Sequence, residues 1–241
     1  MDGQSLVLFA FAVFLGASTH RLTGMGFSLV SSPLLVIAVG PHDAVAVLQI
    51  FGVLMSVFML VHVWRDVDWG VLWWLTIPAL VGIIPGVLVA RRLSVPTLEV
   101  LVGLLVVVAL SITAIAPRCR VFKGRAGASA VGAMSGFMNA TASLSGAPLA
   151  LYRVSAAWDH KSFVATVQVY FVVVCGATLA ARGLPGLAAT AWGVSVLAVL
   201  AGIGFGSLLV GRLSESRART LVYLVALAGG LVTLAKGLSA I

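Results

Sequence analysis

Charge is scarce in this 241-residue chain, with Asp, Glu, Lys and Arg together making up 9% of it. A soluble domain of this length needs a polar shell, and so little charge against 61% apolar residues cannot supply one. Carboxylates are the scarcest. All seven (Asp2, Asp43, Asp66, Asp68, Glu99, Asp159 and Glu215) fall near the ends of apolar runs, so a carboxylate proton relay or sodium site in the middle of a membrane is not expected. Cysteine is nearly absent. Cys119 and Cys175 form no CxxC pair and belong to no cysteine–histidine cluster, which excludes a disulfide framework and a metal site. No Ser-His-Asp, HExxH or Walker pattern is present, which argues against an enzyme or an ATP-driven pump and leaves no cofactor to expect.

The positive charge that exists, net +8, sits in short gaps between apolar runs. That is the placement of membrane-topology signals, and it makes no basic face for a duplex, so nucleic acid is not an expected partner. Mean hydropathy is +1.16. Apolar runs fall at about Leu6–Ser18, Phe27–Gly40, Ala44–Val61, Trp69–Ala90 and Leu98–Ala116, then at Ala126–Ala142, Gly146–Ala157, Phe163–Ala181, Leu187–Val210 and Leu221–Ala235. The first is read as a retained span, because Met1-Asp2 offers no basic leader region and no small-residue cleavage site follows. The expected fold is an all-α integral membrane protein with the lipid bilayer as its surroundings.

Four short matches in the same order indicate duplication. Gly82-Ile83-Ile84-Pro85-Gly86 recurs as Gly202-Ile203-Gly204-Phe205-Gly206, and Arg92-Leu93-Ser94 as Arg212-Leu213-Ser214, both 120 residues on. Val45-Ala46-Val47-Leu48-Gln49 parallels Val164-Ala165-Thr166-Val167-Gln168, and Ser31-Ser32-Pro33-Leu34 parallels Gly146-Ala147-Pro148-Leu149. The organisation expected is a first repeat over 1–117, a basic linker over 118–125 and a second repeat over 126–241, each repeat with about five hydrophobic segments. If all ten runs cross with the linker in the cytoplasm, inside loops hold eleven Lys and Arg residues and outside loops hold Arg91, Arg92, Arg182 and Lys236. The positive-inside rule favours that arrangement. Five crossings per half make the repeats inverted and put both termini on the periplasmic or extracellular side. Trp64, Trp69, Trp73, Trp74 and Trp158 then cluster near cytoplasmic ends.

Two segments are expected to be discontinuous or re-entrant helices, Gly24–Pro33 and Asn139–Pro148. Each sets small polar residues just before a proline. Ser31, Ser32 and Ser145 suit a helix cap, while Pro33 and Pro148 suit a first turn, where a missing N–H costs nothing. A helix that starts inside the membrane presents free amides and the positive end of its dipole, an anion-binding arrangement. Two such starts are expected near the midplane, where secondary transporters bind substrate. The alternative is that Gly and Ser only let helices pack closely, and that reading is preferred for the Gly82/Gly86 and Gly202/Gly206 pairs. Gln49 and Gln168, at matching places in the third run of each half, either line a pathway or bond between helices. The substrate-binding candidates are therefore Ser31, Ser32, Pro33, Gln49, Asn139, Thr141, Ser143, Ser145, Gly146 and Gln168. Gly24, Gly26, Ser28, Arg153, Thr166 and Tyr170 form a second rank; positive-inside topology is the simpler account of Arg153.

These residues resemble a known family. The Gly24-Met25-Gly26-Phe27…Pro33-Leu34-Leu35 segment, its counterpart Gly136…Ser145-Gly146-Ala147-Pro148 and the repeated Gly and Arg-Leu-Ser ends look like the sulfite exporter TauE/SafE family, also grouped as toluene-sulfonate uptake permeases. The resemblance covers nearly the whole chain, although relatives often carry a denser glycine run where this sequence has Gly-Met-Gly-Phe-Ser. It implies a permease or exporter in the inner membrane for a small sulfur-containing anion such as sulfite or an organosulfonate like sulfoacetate. The mechanism it suggests is alternating access around a midplane anion site. A passive anion channel, or a transporter of another small anion or metabolite, is the alternative, and a scaffold without transport is a third reading. A second copy of the chain is a candidate partner.

Overall fold

A computed structural model describes residues 3–23, 26–116, 121–209 and 215–241. Gly24, the start of the basic linker and the Arg212-Leu213-Ser214 repeat lie outside the described residues. The described residues form α-helices and a single 3-10 turn: α1 (Gly3–Thr23), α2 (Phe27–Val63), the turn Trp64–Asp66, α3 (Trp69–Arg92), α4 (Val95–Ile115), α5 (Gly124–Ala142), α6 (Gly146–Ser155), α7 (His160–Arg182), α8 (Ala189–Leu209) and α9 (Glu215–Ser239). No strand occurs among them. Gly40 divides α2, with φ 80° and ψ 164° between two helical arms. A side chain at such a φ is strained, so glycine is the residue for this break. Pro41 then starts the second arm with its φ already fixed and no amide to satisfy. Counting both arms of α2, each of the ten apolar runs corresponds to a helical segment.

Seven stretches are long and apolar enough to cross a membrane: Gly3–Leu22, Phe27–Asp66, Trp69–Arg92, Val95–Ile115, His160–Arg182, Ala189–Leu209 and Thr220–Ser239. This is a multi-pass α-helical membrane protein. Its helices keep large apolar side chains on their outer faces, as lipid requires; on α3, Ile77, Val81, Ile84 and Leu88 recur at helical spacing and are all about half exposed or more. α6 has ten residues, which rise about 15 Å, half the thickness of the hydrocarbon core. A full crossing by this segment alone, which the charge count assumed, is therefore beyond its length.

The chain divides into two compact units, and neither is a sequence half. Unit one comprises Met1–Val45, Leu93–Val107 and Pro185–Ile241, and unit two comprises Ala46–Arg92 and Val108–Leu184. In unit one α1 packs along α8, and in unit two α3 packs along α5. Each partnership joins the first segment of one half to the fourth segment of the other. Small residues permit both. A Cβ added at Gly82 or Gly86 would overlap Ala133 in the first case, and Phe137 and Ala140 in the second. One added at Gly202 or Gly206 would overlap Phe14 and Ala17, or Ser18 and Arg21. The repeated glycines are thus close-packing residues, as the packing alternative held.

Polar contacts finish each unit. In unit one Lys236 Nζ lies 2.8 Å from Glu99 Oε1, with Glu99 buried. Near the start of α4, that pairing satisfies the only buried carboxylate among the described residues. In unit two Asp68 accepts a hydrogen bond from the Val71 amide (3.0 Å) at the head of α3, and Asp159 one from the Ser162 amide (3.0 Å) at the head of α7. Carboxylates at run ends serve here as helix caps.

Candidate functional site

The two proline segments fold differently. In unit one the helix begins at Phe27, so Ser31, Ser32 and Pro33 lie in its second turn, not at its start. This corrects the expectation that the serines cap a helix headed by Pro33. The Ser31 hydroxyl instead donates to the Ala12 carbonyl on α1 at 2.8 Å. Gly16 leaves it room, since a Cβ there would overlap Ser31 Oγ. The Pro33 carbonyl accepts from Thr233 Oγ1 at 3.2 Å. Ser32 is buried and Ser28 half-buried on the same arm, and the Gly26 carbonyl accepts the Val30 amide at 3.3 Å. The region is a packed helix contact.

In unit two the helix break falls just before the proline. α5 ends at Ala142 and Ser143 turns into the left-handed region, with φ 61° and ψ 28°. Its amide donates to the Asn139 carbonyl (2.9 Å) and that of Leu144 to Met138 (3.2 Å), capping the end of α5. α6 then starts at Gly146, with Pro148 in its first turn. Ser145 occupies the cap position but makes no side-chain capping bond, which corrects its expected role. The amides of Gly146 and Ala147 therefore head a helix without a side-chain cap. No atom lies within 4 Å of the place a Cβ at Gly146 would take, so the start of α6 borders open space.

A polar cluster holds this break. Gln49 Nε2 donates to the Asn139 carbonyl at 3.1 Å and lies 3.4 Å from Ser143 Oγ. Asn139 Nδ2 donates to Gln49 Oε1 (3.2 Å) and Thr178 Oγ1 (2.9 Å), while Cys175 Sγ lies 4.0 Å from Asn139 Oδ1. A second chain fixes the start of α6, running from Tyr170 Oη to Ser135 Oγ (2.8 Å) and from Ser135 Oγ to the Ser145 carbonyl (2.9 Å). At the far end of α7, Arg182 Nη1 donates to the Ala140 carbonyl at 2.7 Å, setting a cation against the negative end of α5. All these groups are neutral except that guanidinium.

Of the candidates, the fold brings together Gln49, Asn139 and Ser143, and separately Ser145 and Tyr170. Gly146 stands at the α6 start. Thr141 bonds back to the Phe137 carbonyl of its own helix at 2.8 Å. Thr166 accepts from the Asp68 amide (2.9 Å) and donates to the Ser162 carbonyl (2.7 Å), tying the α2–α3 turn to α7. Arg153 lies in the last turn of α6, its guanidinium 5.5 Å from the Phe163 ring centre, away from the helix start. Gln168 is fully buried, and neither amide atom has a hydrogen-bond partner among the described residues.

Sequence reasoning missed Ser135, Cys175, Thr178 and Arg182. Cys175 lies seven residues beyond Gln168 on one face of α7, and Thr178 three further. Ser135 lies one turn before Asn139 on α5. Helical spacing from the named candidates was the available signal.

Among the described residues no group of His, Cys, Asp and Glu is arranged to hold a metal ion. The sulfite exporter TauE/SafE family model matches residues 8–233. No curated protein and no solved structure matches the chain significantly.

Proposed function

The chain belongs to the sulfite exporter TauE/SafE family, a family of transporters and not of enzymes, and from that premise we propose that it is a secondary carrier for a small sulfur-containing anion, sulfite or an organosulfonate. The observation that carries this reading is the interrupted α5–α6 segment, a helix start without a side-chain cap that borders open space. Uncapped amides and the positive end of the α6 dipole take the place of the anion's hydration shell. Asn139, Gln49, Ser143 and Thr178 set the geometry of the break, and Tyr170 through Ser135 sets where α6 begins. Gln168 adds an amide with both ends open. No buried lysine is needed, since hydrogen bonds and a dipole bind an anion more weakly than a fixed cation does, and a carrier must also release it.

The carrier works by alternating access, with repeats over 1–117 and 126–241 in inverted orientation joined by the 118–125 linker. The reciprocal pairing of α1 with α8 and α5 with α3 supports two repeats; their inversion rests on the loop charges and requires α6 to cross together with the chain that flanks it. We place the protein in a bacterial-type inner membrane with the linker in the cytoplasm. An impermeant maleimide should then leave Cys119 of intact cells unlabelled until the membrane is opened.

The test of substrate class is a thermal-shift screen of purified protein against sulfite, sulfate, thiosulfate, sulfoacetate and taurine. Stabilisation by at least one sulfur anion, and its loss in Gly146→Val, is expected. No response to any of them would overturn the reading.

A further inference from the structure

Gln168 carries more information than its burial. A carboxamide has one donating and one accepting end, and each, left unpaired in an apolar interior, costs about 1–3 kcal/mol. Both ends of Gln168 are orphaned among the described residues, and the side chain is fully buried. Exchanging its nitrogen and oxygen changes nothing, because either assignment leaves one donor and one acceptor open. An oxyanion with only lone pairs can satisfy the NH2 end alone. It would also bring its negative charge towards the carbonyl oxygen.

The surroundings add a second constraint. The other fully buried polar side chains of unit two, Gln49, Ser135, Asn139, Thr141, Thr166 and Thr178, are uncharged. The cation of the α5–α6 cluster, Arg182 at the far end of α7, is bonded to the Ala140 carbonyl. The cost of taking an ion out of water rises with the square of its charge, so surroundings otherwise made of neutral polar groups favour one negative charge over two.

We propose that the cargo is a singly charged sulfur anion that also offers a hydrogen-bond donor, such as a hydroxy- or ammonio-alkanesulfonate or the hydrogen-bearing form of sulfite, and that Gln168 reads this donor and an acceptor oxygen together. The inference rests on the carrier reading above and sharpens its substrate class. A bare dianion such as sulfate is discriminated against twice, by its charge and by its lack of a donor. Buried polar groups left unpaired by the wrong ligand are an effective source of such discrimination.

The experiment compares ethanesulfonate with 2-hydroxyethanesulfonate, equal in charge and different by one hydroxyl, in calorimetric titrations of the full-length purified protein. Wild type should bind the hydroxylated anion at least tenfold more tightly. Gln168→Met, which replaces the amide with an apolar chain of similar length, should bring the two affinities within about threefold by weakening the hydroxylated anion. Equal affinities in wild type would overturn the donor requirement, and that arm needs no variant to fold. A preference that survives in Gln168→Met would overturn the role of Gln168. Equal weakening of both anions in Gln168→Met is one form of that survival: the carrier reading then stands and Gln168 is not the group that reads the donor. If neither anion nor sulfite binds wild type, the carrier reading fails and takes this inference with it.

Discussion

Gln49 and Gln168 occupy matching positions 119 residues apart, each in the third segment of its half and each fully buried. Gln49 spends both ends of its amide on the α5 break, through the Asn139 carbonyl, the Asn139 side chain and Ser143. Gln168 has neither end paired among the described residues. The proline segments divide in the same way. Ser31 in unit one is consumed by a packing contact, while Gly146 in unit two opens a helix beside free space. The matching stretches of the two halves therefore carry unequal chemistry. Gln49 and Ser31 have found partners and hold the fold, whereas Gln168 has both ends of its amide left over among the described residues.

The largest test of this contrast is Asn139→Leu. It strips Gln49 and Thr178 of their shared partner, at about 1–3 kcal/mol for each group left unpaired, and should give the greatest loss of thermal stability in detergent. Next comes a paired comparison. Gln49→Leu should cost about 1–3 kcal/mol, whereas Gln168→Leu should leave melting unchanged or raised and cut transport at least tenfold, about 1.4 kcal/mol. Equal melting losses in the two variants would erase the contrast. A smaller effect is expected of Tyr170→Phe, which removes the bond to Ser135 and should cost about 0.5–1.5 kcal/mol. It should also weaken anion binding, because the α6 start loses its tether.

The smallest effect lies outside the membrane. The Asp159 carboxyl is held below its ordinary value, chiefly by the Ser162 amide that it accepts. Its cap is therefore fully present above the unfolded carboxylate value of about 4 and lost as pH falls through the lower folded value. Melting followed against pH should show that acid loss in wild type and a flatter profile in Asp159→Asn, which keeps an uncharged acceptor.

Much of the fold was legible because lipid leaves the chain few options. All ten apolar runs became helical segments, and the break at Gly40-Pro41 falls where one run gave way to the next. The interleaving of the two units was not legible. Periodicity says that Gly82 and Gly202 lie on small, close-packing faces, but not that each faces the first helix of the other half. For the site, Gln49, named for its match to Gln168, and Asn139 and Ser143, named for their place before Pro148, are brought together by the fold. Ser31 and Ser145 misled because a serine before a proline suits a cap equally well in either setting. Local sequence does not say whether Ser31 will meet the Ala12 carbonyl first. Thr178 and Ser135 escaped notice because a hydroxyl in an apolar run usually bonds to its own helix, as Thr141 does.

The most direct measurement of the central claim is counterflow of labelled sulfite in proteoliposomes carrying the full-length protein. Alternating access predicts saturable uptake that unlabelled sulfite on the opposite side accelerates, with Gln168→Leu reducing it at least tenfold. Protein-dependent flux that rises linearly with concentration and ignores the opposite side would contradict a carrier, and no protein-dependent flux would contradict transport of this anion.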